Sequence, residues 1–403
     1  MKRIYTEVIE HHLSSWRQMV FIMGPRQVGK TTLSLTLKKG HKNVFYFNWD
    51  NQKDRALILK GSDAIAEEIG LSRLTQGLPI VIFDEIHKYT HWKIFLKGLY
   101  DSYPEKIQII VTGSARMEVF NKGGESLMGR YFPYRLHPLT VGEIVRPEIH
   151  DAEIASEPLE ITDTSFEKLL TFGGFPDPFI KAEKRFVNKW RSLRIKQLFE
   201  DDMRDLTRIR EVNQLEVLSE LLRHQVGSFV SYESLAKKLQ VTGKTVCNWL
   251  STLQALYYLF EIRPWTKNVT RSLLKEPKYY LWDWSLCYES GALAENCIAS
   301  HLLKAVHFWT DTGLGTYELH FIRDKQKREV DFLVSKNGLP WFLVEVKNGN
   351  SKTISPHLKY FHKELQTAHA FQVVLNLPYE PVNCFSQTNP IIVPAKTFLS
   401  QLI

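Results

Sequence analysis

The run Gly24-Pro25-Arg26-Gln27-Val28-Gly29-Lys30-Thr31 constrains this chain more than any other feature. It fits GxxxxGK[ST] without a mismatch, and it sits between an apolar run, Met19 to Met23, and a helical pattern, Thr31 to Lys38. Glycines let a backbone fold tightly around a phosphate, while successive N–H groups and a helix N-terminus supply positive potential. In that frame Lys30 reaches the β- and γ-phosphates and the Thr31 hydroxyl ligates Mg2+. The expected cradle comprises Gly24, Pro25, Arg26, Gln27, Val28, Gly29, Lys30, Thr31 and Thr32.

A second element completes the first. Ile80-Val81-Ile82-Phe83 reads as a buried strand ending in Asp84-Glu85. Asp84 is expected to hold Mg2+ through its water shell, and Glu85 to orient and deprotonate an attacking water. The bland alternative, an acidic pair capping a strand, loses to the pairing with the upstream motif. No DxxG follows Asp84 and no [NT]KxD stands where a GTPase would carry one, so the expected ligands are ATP and Mg2+.

Ile107 to Val111 ends in Thr112-Gly113-Ser114, where Thr112 or Ser114 is a candidate γ-phosphate sensor; a plain strand-end turn reads the same way. Arg130 is a candidate for neutralising transition-state charge, within its own subunit or in a neighbour's. An ordinary surface ion pair is the competing role.

At 403 residues the chain exceeds one compact core. Its 44% hydrophobic and 24% charged residues fit a soluble globular protein. A charge of +8 favours anionic partners without naming one. The four cysteines form no CxxC pair and no zinc spacing, and are expected to be buried reduced thiols of a cytoplasmic protein. Neither a signal peptide nor a membrane span is expected. The runs Met19–Met23, 44–47, 80–83 and 107–111 alternate with helix or turn patterns, which predicts an α/β parallel sheet. Tyr131 to Leu136 is a fifth strand candidate. The expected division is 1–146 for the ATPase domain, 147–228 for a connector and helical region, 229–265 for a winged-helix-like module, and 266–403 for an α/β domain.

GPRQVGKTT, IVIFDEIHKYTHW, IIVTGSA, MGRYFPYRLHPLTVGEI and GGFP, in that order, resemble a prokaryotic family of AAA-type P-loop ATPases. Its members join this ATPase domain to a C-terminal domain of unknown function, and the similarity covers most of the chain. The resemblance implies ATP binding and hydrolysis; the later motifs mark the family more than they define chemistry.

Ser231 to Leu239 reads as a short helix with Ser231 as its N-cap, and Thr242 starts a second. Val246, Leu250 and Leu253 share the inner face of the second helix, and Lys244, Thr245 and Asn248 the outer. With Tyr257 to Ile262 as a wing strand, this resembles a winged helix-turn-helix, for which DNA is the expected partner. Lys267 and Arg271 add positive charge. The alternative is a packing module, with a protein partner or self-association in place of DNA.

Glu329 to Val334 and Trp341 to Val346 read as strands joined by a turn at Lys336-Asn337-Gly338. Glu345 and Lys347 then project from one face. Asp331 with Glu345 and Lys347 resembles the restriction-endonuclease-like nuclease core, in which carboxylates ligate Mg2+ and lysine assists. Glu295, on a preceding helix, is a candidate third ligand. Exposed strand decoration is the alternative. The functions left open are an ATPase coupled to DNA or a protein partner, a nucleotide-controlled switch without DNA, and an ATP-regulated nuclease.

Overall fold

The computed structural model describes residues 1–71, 77–113, 127–149, 152–202, 212–266, 276–349 and 351–403. Ser114, Lys267 and Arg271 lie outside them. The chain forms two compact units, Met1–His137 and Pro138–Ile403.

The first unit contains α1 (Tyr5–Ser15), β1 (Met19–Met23), α2 (Lys30–Thr36), β2 (Val44–Asn48), α3 (Gln52–Lys60), α4 (Ser62–Glu68), β3 (Ile80–Asp84), α5 (Trp92–Ser102), β4 (Gln108–Gly113) and β5 (Tyr131–Arg135). Its five strands run parallel in the order β2-β3-β4-β1-β5. All five residues of β1 and of β3 are buried, as continuous apolar runs covered on both faces require. Phe21, Met23, Val81, Phe83 and Val111 pack on one side with Trp92, Phe95, Leu96 and Leu99 of α5. Because β4 lies between β1 and β3, Thr112 stands beside both Ile22 and Asp84. The phosphate loop and the acidic strand end are thereby set two strands apart at one sheet edge.

The second unit begins with α6 (Val141–Val145), α7 (Asp163–Phe172), α8 (Pro176–Lys181), α9 (Lys184–Gln197) and α10 (Val212–Arg223). Then follow α11 (Tyr232–Leu239), α12 (Gly243–Ala255), β6 (Leu259–Pro264), β7 (Lys278–Leu281) and the 22-residue α13 (Ser290–Asp311). The last part holds β8 (Tyr317–Arg323), β9 (Glu329–Lys336), β10 (Leu339–Lys347), α14 (Pro356–Leu365), β11 (His369–Val374), β12 (Ile391–Pro394) and α15 (Ala395–Ser400). Seven strands form one mixed sheet, β12-β11-β10-β9-β8-β6-β7.

The helix pair α11–α12 forms with the caps read from sequence: Ser231 accepts from the Ser234 N–H and Thr242 from the Thr245 N–H. β6 joins the seven-stranded sheet between β7 and β8, and Leu259, Phe260 and Ile262 are buried there. It pairs antiparallel with β7 over Leu259–Ile262, as a wing strand would, and parallel with β8 at Arg263 and Pro264. Among the cysteines, Cys297 and Cys384 are buried, Cys287 is half-buried and Cys247 is exposed; all four are free thiols. Exposed Cys247 departs from the expectation of buried thiols, because it lies on the outer face of α12.

Two of the family-like motifs now have physical roles. In GGFP, a methyl group on Gly174 would stand 2.5 Å from the Leu139 oxygen and 2.6 Å from the Trp284 ring, so only glycine fits. In LTVGEI, Thr140 caps α6, and Glu143 is ion-paired with Lys304 of α13, both side chains fully buried. Lys304 Nζ also donates to Thr140 Oγ1 at 2.9 Å. A buried pair stripped of one member leaves an uncompensated charge, which typically costs about 3–5 kcal/mol. Lys304→Ala is therefore expected to lower the unfolding free energy of the second unit by about that amount in a denaturant titration, and the double change Lys304→Met with Glu143→Leu to recover part of it.

Candidate functional site

At the end of β1 the chain turns through Gly24, whose φ of +148° and close approach to Leu136 exclude a side chain. A methyl group there would meet the Leu136 oxygen at 2.3 Å. Gln27 (φ 63°) and Gly29 (φ 100°) also take left-handed backbone, and Gly29 is the N-cap of α2, where no side chain caps the helix. The loop from Gly24 to Thr31 thus curls around the start of α2, with Val28 buried beneath it and Arg26 and Thr32 on its outer side. Buried Lys30 folds back over the loop, its Nζ donating to the carbonyls of Gly24 (2.9 Å) and Pro25 (2.7 Å). An ammonium held inside a ring of backbone suits a phosphate group.

Sequence reasoning missed the brace behind this loop. Arg3 is buried, and its guanidinium donates to Val28 O at 2.7 Å and to His137 O at 2.6 Å. Hydrogen bonds from a charged donor are worth about 1.5–3 kcal/mol each. A lone arginine remote in sequence from the motif gives no spacing signal.

Asp84 is the centre of the site. Its Oδ2 accepts from Thr31 Oγ1 at 2.8 Å and from Tyr46 Oη at 2.6 Å, and its Oδ1 accepts from Thr112 Oγ1. Hydroxyls from α2, β2 and β4 therefore converge on the carboxylate of β3. Burial, and then the hydrogen bond to Asp84, push the Tyr46 phenol up, so it remains a donor. Of the sensor candidates, Thr112 bonds Asp84, and Ser114 lies outside the described residues.

Glu85 follows in left-handed backbone, φ 57° and ψ 21°, an uncommon conformation for a non-glycine residue and one found at functional sites. Its Oε2 lies 3.5 Å from Lys88 Nζ and 3.8 Å from His87 Nε2. Burial opposes the Lys88 charge, but Asp50 at 2.7 Å and Glu85 hold its pKa above the ordinary value. Burial pushes the His87 imidazole down, toward its neutral form.

Arg130 is placed elsewhere. Its carbonyl accepts from the Met19 N–H and it precedes Tyr131, the partner of Met19, so it stands where β1 begins and not where the phosphate loop leaves it. The strand between spans roughly 16 Å, beyond the reach of its side chain. There it forms a two-pronged ion pair with Asp101, both contacts 2.9 Å.

In the second unit Glu295 of α13, Asp331 of β9, and Glu345 and Lys347 of β10 face a common interior, and surface decoration does not describe them. Tyr280 Oη donates to Glu295 Oε1 at 2.7 Å, the Val346 N–H donates to Asp331 Oδ2 at 2.8 Å, and Lys347 Nζ donates to Glu345 Oε1 at 2.8 Å. Two residues not singled out by sequence join them: Lys278 Nζ lies 2.6 Å from Glu329 Oε1 and 3.6 Å from Glu295 Oε1. Burial first, and then the charge of Asp331, push the carboxyls of Glu295 and Glu345 up. Yet among the described residues no three His, Cys, Asp or Glu side chains are set to hold a metal ion. The four residues come together, but the metal-ready convergence of Glu295, Asp331 and Glu345 does not.

Among the described residues no helix is long and apolar enough to cross a membrane. Residues 16–145 match the family model of an AAA domain. Residues 163–295 and 290–397 match two models described as domains of unknown function (DUF8612 and DUF4143). The chain is 24% identical to an uncharacterized protein of Mycobacterium tuberculosis, over 95% of this chain and 81% of that protein. It is 26% identical to one of Methanocaldococcus jannaschii, over 84% of this chain and 77% of that protein. Among solved structures it is similar to AMPPCP-bound DnaA of Aquifex aeolicus, with 16% identity and a TM-score of 0.32 over 62% of this chain and 86% of that one. It is also similar to a signal transduction ATPase with numerous domains from Pyrococcus horikoshii, with 16% identity and a TM-score of 0.26 over 76% and 47%. The AAA-domain match supports an AAA-type ATPase family for the part of the chain that carries the phosphate loop.

Proposed function

We propose that the protein binds ATP with Mg2+ at the loop from Gly24 to Thr32 and hydrolyses it. The observation that carries this is the contact between Thr31 and Asp84, which sets the loop hydroxyl 2.8 Å from the acid of β3. Bound Mg2+ would supply positive charge to the terminal phosphates, and Thr31 and Asp84 are the residues that would hold it. Lys30 would leave the carbonyls of Gly24 and Pro25 for the β- and γ-phosphates. Arg3 keeps Val28 O turned away from the bound anion. Thr112 and Tyr46 fix the Asp84 carboxylate, and Thr112 takes the role of γ-phosphate sensor in this proposal. Glu85 takes the proton of the attacking water, with Lys88 holding its carboxylate in place. Arg130 has no part in the site of its own chain; a role on a neighbouring copy would require self-association.

A second component of the proposal is DNA as the partner, through α11 and α12. Supporting it are exposed Lys237, Lys238, Lys244, Asn248 and Ser251, with Glu233 the one exposed acid on the two helices. These residues fit phosphate contacts and groove entry by α12. The restriction-endonuclease-like reading of the last domain has weaker support, because its carboxylates already have protein partners.

Lys30→Ala is expected to abolish or greatly weaken ATP binding, whereas Glu85→Gln retains binding and loses turnover. Calorimetry alongside a phosphate-release assay separates the two, and equal loss of affinity in both variants would refute this division of roles. For the helix pair, affinity for duplex DNA should fall steeply with salt, and Lys244→Glu should weaken it with the unfolding temperature unchanged. Absence of binding at low salt would favour a nucleotide-controlled switch that docks a protein.

A further inference from the structure

The acidic pocket of the second unit is enclosed by the edge strand β7, the start of β9, the end of β10 and one face of α13. Lys278, on β7, is 3% exposed. Its Nζ lies over the rings of Phe229 (5.7 Å) and Phe321 (5.6 Å), so apolar walls aim it inward. At its tip stand Glu329 and Glu295, with the charge of Asp331 also acting on it.

Each carboxylate in the pocket has a protein partner. Glu295 has Tyr280 and Lys278, Glu329 has Lys278 and Arg323, Asp331 has the Val346 N–H, and Glu345 has Lys347. Four carboxylates thus face three cations. The second oxygen of Glu345 is buried without a hydrogen bond.

We propose that Lys278 is the resident cation of this pocket, taking the place of a divalent ion and locking α13 to the sheet, so that the native chain binds no metal through Asp331. A divalent ion gains from a buried site only when it meets several oxygens at about 2.0–2.6 Å. Here one oxygen each of Glu295, Asp331 and Glu345 is turned toward a lysine, a tyrosine hydroxyl or a backbone N–H. Entry would require displacing Lys278 and leaving its ammonium in an apolar enclosure, a heavy desolvation cost. The inference is independent of ATP hydrolysis in the first unit.

The test counts bound Mn2+ by electron paramagnetic resonance on full-length, nucleotide-free protein. Wild type and Asp331→Asn should bind the same number of ions, which also removes any ion held at Asp84 from the comparison. Lys278→Met should gain one Mn2+ that the added change Asp331→Asn removes, and Lys278→Arg should gain none. Wild type binding one ion more than Asp331→Asn would overturn the proposal. So would a Lys278→Met protein that is folded by circular dichroism and gains no ion. If Lys278→Met does not fold, the wild-type comparison decides alone.

Discussion

The three hydroxyls on Asp84 are the interaction on which the proposed nucleotide site depends. An acid at the end of β3, buried to 5% exposure, needs donors, and Thr31, Tyr46 and Thr112 supply them from three different elements. Removing one of them would leave a charged acceptor under-satisfied, which costs more than the bond itself contributes. Strand order makes the convergence feasible: with β4 between β1 and β3, Thr112 and the phosphate loop reach the same carboxylate from one sheet edge. The left-handed backbone at Glu85 then turns the next carboxylate off the strand toward Lys88.

Both units bury charge, and they handle it differently. At the phosphate loop Lys30 rests on two backbone carbonyls, partners that a phosphate can replace without stranding another charge. In the second unit Lys278 rests on carboxylates, and its removal would expose like charges to one another. The first arrangement suits exchange with a ligand. The second suits a permanent lock, as does the buried pair of Lys304 and Glu143.

Much of this was legible in the sequence where local rules govern. The run before Gly24, the run ending in Asp84, and the caps Ser231 and Thr242 were found because periodicity and capping act within a few residues. The hairpin at Asn337-Gly338 was found for the same reason, and both residues have positive φ. What escaped was long-range. Arg3 braces a loop 25 residues away, Tyr46 reaches Asp84 across a strand pair, and Lys278 meets Glu329 although β6 and β8 lie between their strands in the sheet. The strand after α12 reads as a wing strand and pairs antiparallel with β7, but its further pairing with β8 joins elements distant in the chain, which no local pattern announces. Arg130 was a candidate by residue type, but the register of β5 against β1 puts it at the wrong end of the sheet.

The most direct measurement is phosphate release from ATP by the full-length protein, with Mg2+ and with the metal chelated, in the presence and absence of duplex DNA. The account predicts release that requires Mg2+, since Thr31 and Asp84 are arranged to hold that ion beside the loop. A folded protein that releases no phosphate under any of these conditions, or whose release is unaffected by chelation, would contradict it.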